Sequence, residues 1–100
     1  MSDAITIEAK QFVDPKGRIV KSAVLLAEEI VRHLASHDVV AIDFRAMRGL
    51  SSSYFNVLIQ RVAPATTFPE FARRVQVLFD SAAQEQVFSR SLDFAGRTAV

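Results

Sequence analysis

The sequence predicts an α/β domain in which helices pack on a small, mainly parallel sheet. Short apolar runs typical of strands alternate along the chain with segments of helical periodicity. Such alternation forms βαβ units with right-handed crossovers, and the strands of these units are parallel. The 100 residues suffice for a single domain, over residues 1–100, with one hydrophobic core.

The composition excludes several classes of function. The chain has no cysteine, which excludes disulfides, thiol catalysis and zinc–thiolate sites. Its net charge of +1 gives no electrostatic reason to expect a nucleic acid or a membrane as partner. The amino terminus lacks the pattern of a secretory signal, and no apolar run approaches the ~20 residues that cross a bilayer. We therefore expect a cytoplasmic protein.

The first strand is predicted around Ile5 and Ile7, which alternate with polar residues. Phe12 and Val13 extend this strand or begin a second short one, so this segment could add an antiparallel edge to the sheet. Residues 14–17 contain a proline and a glycine in the order typical of a turn.

Residues 21–36 place apolar side chains three and four positions apart, which predicts an amphipathic helix. Residues 39–44 are apolar on both faces and predict a buried strand. A second helix is predicted to begin at the serines of residues 51–53 and to end at Val62, before Pro64. The remaining predicted elements are a loop over residues 66–69, a helical turn over 70–73, a strand over 74–79 and a helix over 82–89 that ends before Gly96.

Ser51, Ser52 and Ser53 lie where the buried strand leads into the second helix. Open α/β sheets bind ligands and partners at this edge, the carboxyl end of a parallel strand. A helix N-terminus favours anions, and phosphorylation of a serine there adds up to about two negative charges. Serine is also a favoured N-cap, but one cap does not require three serines. The cluster therefore has two interpretations, capping alone or a functional surface.

Charged residues flank the serines. Arg45 and Arg48 precede them and could pair with a phosphate or with a carboxylate of a partner, although loop arginines are usually solvated. Asp43 ends the strand and could form a local cap or ion pair. His33 and His37 are four residues apart, as in a metal-binding pair, but no third ligand is spaced to join them. We predict no metal site and no cofactor.

One motif carries a family resemblance. It consists of Asp43-Phe44, a short connection, and the run Ser-Ser-Ser-Tyr-Phe at residues 51–55 before an apolar helix. This motif resembles the STAS-like domains of unknown function, whose core reads strand, Asp-Phe, short loop, Ser-Ser-Ser-Phe and helix. Phe12 with residues 15–18, and the strand and helix after residue 74, fit the same family, so the resemblance covers nearly the whole chain. It implies a STAS-like fold.

More distantly, the pattern is similar to the STAS domains of anti-sigma factor antagonists in bacteria. Those domains have Asp-Ser-Ser-Gly at the same strand-to-helix junction, and a partner kinase phosphorylates the first serine. The resemblance therefore implies Ser52 as the phosphoacceptor, with Ser53 beside it. Ser51 stands where that family has aspartate, and Tyr54 stands where it has glycine.

We expect a regulatory protein-interaction module that acts by partner switching and has no enzymatic activity. Its binding surface would comprise Asp43, Arg45, Arg48, Tyr54 and the serine cluster. The partner would be a protein, such as a kinase-like ATPase or another regulator. The alternative is a module that binds a small ligand or a nucleotide at the same junction without phosphorylation. A serine hydrolase would need a base that the sequence does not identify, and an open sheet edge would allow homo-oligomers.

Overall fold

The computed structural model describes residues 3–45, 47 and 49–98, without the side chains of Phe68 and Thr98. Its elements are β1 (Ala4–Glu8), a 3-10 turn (Ala9–Gln11), α1 (Ile19–Leu34), β2 (Val39–Asp43), α2 (Ser52–Val62), a second 3-10 turn (Ala63–Ala65), α3 (Phe68–Arg74), β3 (Val75–Leu78) and α4 (Ala82–Thr98). Strands alternate with helices, and the predicted α/β class is confirmed. The arrangement is consistent with a STAS-like α/β fold.

The three strands form one sheet in the order β1-β2-β3, and both strand pairs are parallel. Ile7, Ile42 and Val77 are neighbours in this register, and all three pack in the core. On the opposite face, Thr6 and Gln76 flank Ala41 and are exposed. Right-handed crossovers between successive neighbouring strands place the connecting helices on one face of the sheet. The described residues therefore form two layers, a sheet and a layer of helices.

The helices α1, α2 and α4 lie side by side, and α2 is in the middle, in contact with both neighbours. Aromatic rings link α2 and α4 to the sheet. Phe44, directly after β2, stacks on Phe79, directly after β3, with ring centroids 5.1 Å apart. Phe55 of α2 meets Phe44 edge-on at 5.6 Å and Phe88 of α4 edge-on at 5.4 Å. This aromatic cluster lies at the carboxyl end of the sheet and supports the loops that leave it.

The structure differs from the sequence-based expectation near both ends of the chain. Phe12 and Val13 lie outside any strand, and β1 pairs with β2 in parallel, so the described residues form no antiparallel edge. The helix α4 runs through Gly96 to Thr98 rather than ending near residue 89. A glycine in a helix costs about 1 kcal/mol relative to alanine, and packing of Leu92 and Ala95 against the core offsets this cost.

Smaller differences concern the bounds of the other elements. The helix α1 begins at Ile19, before the predicted start at residue 21, and residues 68–74 form a helix where a loop and a single turn were expected. Within the described part of the chain, no helix combines the length and the apolar character that a membrane crossing requires.

Candidate functional site

Two loops meet at the carboxyl end of the sheet. One connects β1 to α1 and the other connects β2 to α2, and both leave the same edge because the strands are parallel. Each loop contains a glycine in the left-handed region, Gly17 with φ of 73° and Gly49 with φ of 71°. Glycine adopts this backbone without the steric cost that a Cβ atom brings. Because α1 and α2 are in contact, the two loops border a common crevice.

Buried and part-buried hydrogen bonds close the first loop. The Asp14 amide donates to Ser22 Oγ at 2.8 Å, and Ser22 Oγ donates to the Arg18 carbonyl at 2.9 Å. The Asp14 carboxylate accepts from Arg18 Nε at 2.8 Å and from the Arg18 amide at 3.2 Å. The hydrogen bond from the Arg18 side chain holds the pKa of Asp14 below its ordinary value. This network connects the loop to the first turn of α1.

The second loop is held at both of its ends. Asp43 Oδ1 accepts from the Arg45 amide at 2.9 Å and from Arg45 Nε at 3.0 Å, and the Arg45 side chain lowers the pKa of Asp43. Farther along, Gln84 of α4 pairs with the backbone of Leu50. Its Oε1 accepts from the Leu50 amide at 3.1 Å, and its Nε2 donates to the Leu50 carbonyl at 2.9 Å. Leu50 is thereby fixed directly before the serine cluster.

The three serines divide their roles at the start of α2. Ser51 is the N-cap, and its Oγ accepts a hydrogen bond from the Tyr54 amide at 3.3 Å. Ser52 and Ser53 follow in the first turn and are exposed. That turn holds no acidic residue, so no side-chain charge of the turn offsets the positive end of the helix dipole. Capping therefore uses one serine and leaves two hydroxyls for another role.

A shallow groove runs between α2 and α4 beside Ser52. The described residues that line it are Ser52, Asn56, Arg90, Ser91 and Phe94. Ser52 and Asn56 are four residues apart and share one side of α2. The groove thus places an arginine of α4 on the same surface as an exposed serine of α2.

A separate pocket of about 180 Å³ lies in the crevice between the two loops. The described residues that line it are Val13, Gly17, Ile19, Ser22, Met47, Gly49, Leu50 and Tyr54. Tyr54 is only 1% exposed, and its hydroxyl has no hydrogen-bond partner among the described residues. Burial raises the pKa of this hydroxyl well above its ordinary value, so the group is neutral at physiological pH.

Exposed apolar side chains lie in the loop between β1 and α1 and at the start of α1. Val13, Ile19 and Val20 are 45%, 49% and 52% exposed, and the first two also line the pocket. Three large apolar residues so close together are more than the scattered exposure expected of an ordinary surface. They form an exposed apolar patch on this side of the crevice.

The other predicted site residues do not form one common surface. Asp43 and Arg45 lie at the end of β2 and are engaged with each other. Tyr54, which we expected on the binding surface, is instead buried, since it lies on the side of α2 that also buries Leu58. Arg48 lies outside the described residues.

The two histidines that were considered as a metal-binding pair lie far from this crevice. His33 is in the last turn of α1, and its Nε2 is 2.9 Å from Glu29 Oε1. The His33 and His37 rings are 5.5 Å apart. Within the described ranges, no group of three or more histidines, cysteines and carboxylates is placed to hold a metal ion.

Sequence reasoning missed four residues that shape the site. Ser22 was expected on the polar side of α1, but it is buried, because it precedes Leu26 by four residues and shares its side of the helix. Asp14 was read only as part of a turn. Gln84 and Arg90 reach the site from α4, more than thirty residues beyond the serines, and no local pattern indicates such a contact.

Comparisons of the chain with protein-family models, with curated proteins and with solved structures find no match. The fold and the site nevertheless define a class of protein. It is a small α/β domain with a crevice at the carboxyl end of a parallel sheet. Exposed apolar side chains lie beside this crevice, and an exposed serine at the start of α2 lines a second groove between α2 and α4.

Proposed function

We propose that this protein is a non-enzymatic regulatory interaction module that acts by partner switching, controlled by phosphorylation of the serine cluster at Ser52. The observation that carries the proposal is the division of roles among the serines. Ser51 alone caps α2, while Ser52 and Ser53 are exposed near the carboxyl end of the sheet, the edge at which open α/β sheets generally bind their ligands. The resemblance to STAS-like domains and to anti-sigma factor antagonists supports the same choice of residue.

Electrostatics support Ser52 as a switch. A phosphate at this position adds up to about two negative charges to a helix start whose first turn has no acidic residue. The amide groups and the dipole of α2 stabilise such a charge. Arg90 lines the same groove and offers a cation that can pair with a phosphate. One modification would therefore change both the charge and the hydrogen bonding of this surface.

The apolar side of the crevice supports a protein partner. Val13, Ile19 and Val20 present three half-exposed aliphatic side chains that a partner would bury. The partner we propose is a kinase-like ATPase or another regulator. Phosphorylation by such a kinase consumes ATP, so the proposal places the module in the cytoplasm.

Two measurements test the switch. The first is the intact mass of the protein purified from its native host, before and after phosphatase treatment. We expect a species heavier by one phosphoryl group, which is lost on phosphatase treatment and in the Ser52→Ala variant. The second is the affinity of the protein for a partner that is identified by co-purification and then isolated. We expect Ser52→Asp to change this affinity by about tenfold or more, because the new charge lies in the proposed interface.

The matched control is Ser36→Asp, which adds the same charge to an exposed serine beyond the end of α1. We expect this variant to bind the partner like the wild type. Absence of phosphate from the native protein, together with equal affinities for Ser52→Asp and Ser36→Asp, would show that Ser52 is not a switch.

The alternative function, binding of a small ligand without phosphorylation, is favoured by the largely apolar pocket beside Tyr54. A serine hydrolase has less support. His33 lies fourteen residues along α1 from its start, which corresponds to roughly 20 Å of helix. That distance separates its imidazole from the end of α1 that borders the crevice.

A further inference from the structure

We propose that the outer edge of β1 is an interface between two copies of this chain, whose β1 strands pair antiparallel about a two-fold axis at Thr6. The pairing joins two sheets of three strands into one continuous sheet. This inference does not depend on the switch at Ser52. The groove beside Ser52 lies between α2 and α4, whereas the edge of β1 is bordered by α1.

The outer edge of β1 presents backbone groups that the sheet does not use. The strand pairs with β2 alone, and the Val39 amide donates to the Asp3 carbonyl at 3.0 Å. Backbone groups of successive strand residues point to opposite sides, so Asp3 and every second residue after it face β2. The residues whose backbone groups face outward are Ala4, Thr6 and Glu8. The Glu8 carbonyl serves the following 3-10 turn, of which Glu8 is the N-cap.

An open groove follows the same edge. Its volume is about 260 Å³, and its lining includes four successive residues of β1. The described lining residues are Ile5, Thr6, Ile7, Glu8, Gln11, Phe12, Glu29 and His33. Ile5 packs against the core but is only partly buried. A further strand therefore has room beside β1, and it covers an apolar side chain that the single copy leaves partly in water.

The β1 strand is complementary to itself in this register. Thr6 lies on the axis, and its amide and carbonyl exchange two hydrogen bonds with Thr6 of the second copy. The Glu8 amide of each copy donates to the Ala4 carbonyl of the other. On the face that the helices cover, Ile5 lies opposite Ile7 of the second copy, and on the open face the two Thr6 side chains are neighbours. Both kinds of cross-strand pair stabilise antiparallel strands.

The charges beside the edge are compatible with the same pairing. Glu8 lies opposite an alanine, so no like charges oppose each other across the two strands. Glu8 Oε2 is also 3.5 Å from Lys10 Nζ of its own copy. On the wall that α1 contributes to the groove, Glu29 forms an ion pair with Arg32. The two copies therefore approach through surfaces of mixed sign.

The β1 edge lacks the usual protection against strand pairing, and the β3 edge is less suited to it. Proteins block sheet edges with prolines, bulges or very short strands. The five residues of β1 include no proline, and they pair with β2 without a bulge. β3 has four residues, and the amide of Val75 already donates to the Phe71 carbonyl. A second copy therefore pairs at β1.

The first experiment compares the protein at about 5 µM and about 500 µM, a range in which a small interface associates. Sedimentation equilibrium measures the mass, and hydrogen exchange of individual amides locates the contact. We expect a dimer at the higher concentration, with exchange of the Thr6 amide slowed by about fivefold or more. The matched control is the Val77 amide, which faces outward from β3 because Leu78, the next residue, faces β2. Its exchange should not change.

The second experiment reverses a charge on the axis. Thr6→Lys and Thr6→Glu each place two like charges side by side, so we expect each variant to dimerise about tenfold more weakly or worse. An equal mixture of the two should recover dimers, since it pairs opposite charges, and this recovery shows that both variants are folded. The matched control is Gln76→Lys. Gln76 is exposed in the same row of the open sheet face but lies on β3, so dimerisation should stay as in the wild type.

Four results would overturn the proposal. A protein that stays monomeric at both concentrations excludes the second copy, even if a purified partner protein slows exchange at Thr6. A dimer that protects the Val77 amide instead of the Thr6 amide pairs through β3. Equal weakening by Gln76→Lys and Thr6→Lys would mean that the second copy covers the open face of the sheet. A mixture of Thr6→Lys and Thr6→Glu that stays monomeric would exclude Thr6 from the axis.

Discussion

The Tyr54 side chain has two opposing effects on stability. Its ring packs edge-on against Phe44 and Phe55, with centroid distances of 6.2 Å and 5.4 Å. Its hydroxyl is buried without a hydrogen bond to any described residue, which costs about 1–3 kcal/mol. The ring therefore stabilises the folded protein, while the hydroxyl destabilises it.

We predict that Tyr54→Phe raises the free energy of unfolding by about 1 kcal/mol, because it removes an unsatisfied polar group and keeps the packing. Urea denaturation followed by circular dichroism measures this change. Tyr54→Ala is the control for the ring and lowers the same quantity by about 3–5 kcal/mol. A loss of stability in Tyr54→Phe would show that the hydroxyl has a partner in the folded protein.

The negative charge of the Asp14 carboxylate helps to hold the loop between β1 and α1 in its folded conformation. Its carboxylate accepts from Arg18, and this interaction lowers its pKa below the ordinary value. A carboxyl group whose pKa is lower in the folded state stabilises the protein at pH values above its unfolded pKa of about 3.9. That contribution is lost as the pH falls through the folded pKa.

We predict that Asp14→Asn is less stable than the wild type at pH 7, and that the difference shrinks as the pH falls from about 5 to about 2. Urea denaturation at several pH values measures the difference. Asp93→Asn, at an exposed position of α4, is the control for the loss of one carboxylate. A difference between wild type and Asp14→Asn that stays constant over this range would contradict the role of the charge.

The start of α2 combines a structural cap with an exposed surface. Ser51 satisfies the Tyr54 amide, and the carbonyl of Ser51 accepts from the Phe55 amide at 3.3 Å. Ser52 and Ser53 already belong to the helix and contribute no cap. A change at Ser51 should therefore affect the helix, and a change at the other two should affect only the surface.

We predict that Ser51→Ala lowers the free energy of unfolding by about 1 kcal/mol, the usual value of an N-cap. Ser52→Ala and Ser53→Ala should stay within about 0.5 kcal/mol of the wild type, as surface substitutions do. Denaturation of the three variants under identical conditions makes the comparison. If Ser52→Ala lost as much stability as Ser51→Ala, Ser51 would not be the sole N-cap of α2.

An aromatic cluster at the carboxyl end of the sheet joins the ends of two strands to α2 and α4. Phe55 is fully buried and touches rings from the end of β2, the end of β3 and α4. The same cluster lies beneath the loops of the candidate site. Local packing and the geometry of the site therefore depend on the same side chains.

We predict that Phe55→Ala lowers the free energy of unfolding by about 3–5 kcal/mol and lowers Tm by at least about 12 °C. Calorimetry measures both quantities. Val20→Ala is the control, since Val20 lies on α1 and is 52% exposed, and it should change stability by about 0.5 kcal/mol or less. Similar losses in the two variants would contradict a central role for the cluster.

Local patterns predict most elements of this fold. The alternation at Ile5 and Ile7 identifies β1, and the serine cluster and Pro64 mark the two ends of α2. These signals work because strand periodicity, capping and proline sterics act within a few residues. The length of α4 was underestimated, because its second half is stabilised by contacts with distant residues rather than by its own composition. The pairing of β1 likewise depends on residues 39–43, which are far along the chain.

The order of the elements and the place of the serine cluster were thus evident in the sequence, because short-range chemistry determines both. Only the tertiary structure decided that Ser51 caps the helix, that Arg45 is engaged by Asp43 and that Tyr54 is buried. It also brought Gln84 and Arg90 to the start of α2 and created the pocket between the two loops. The reason is physical. Burial and hydrogen-bond partnership at a position depend on which distant segments pack against it, and a local pattern contains no information about those segments.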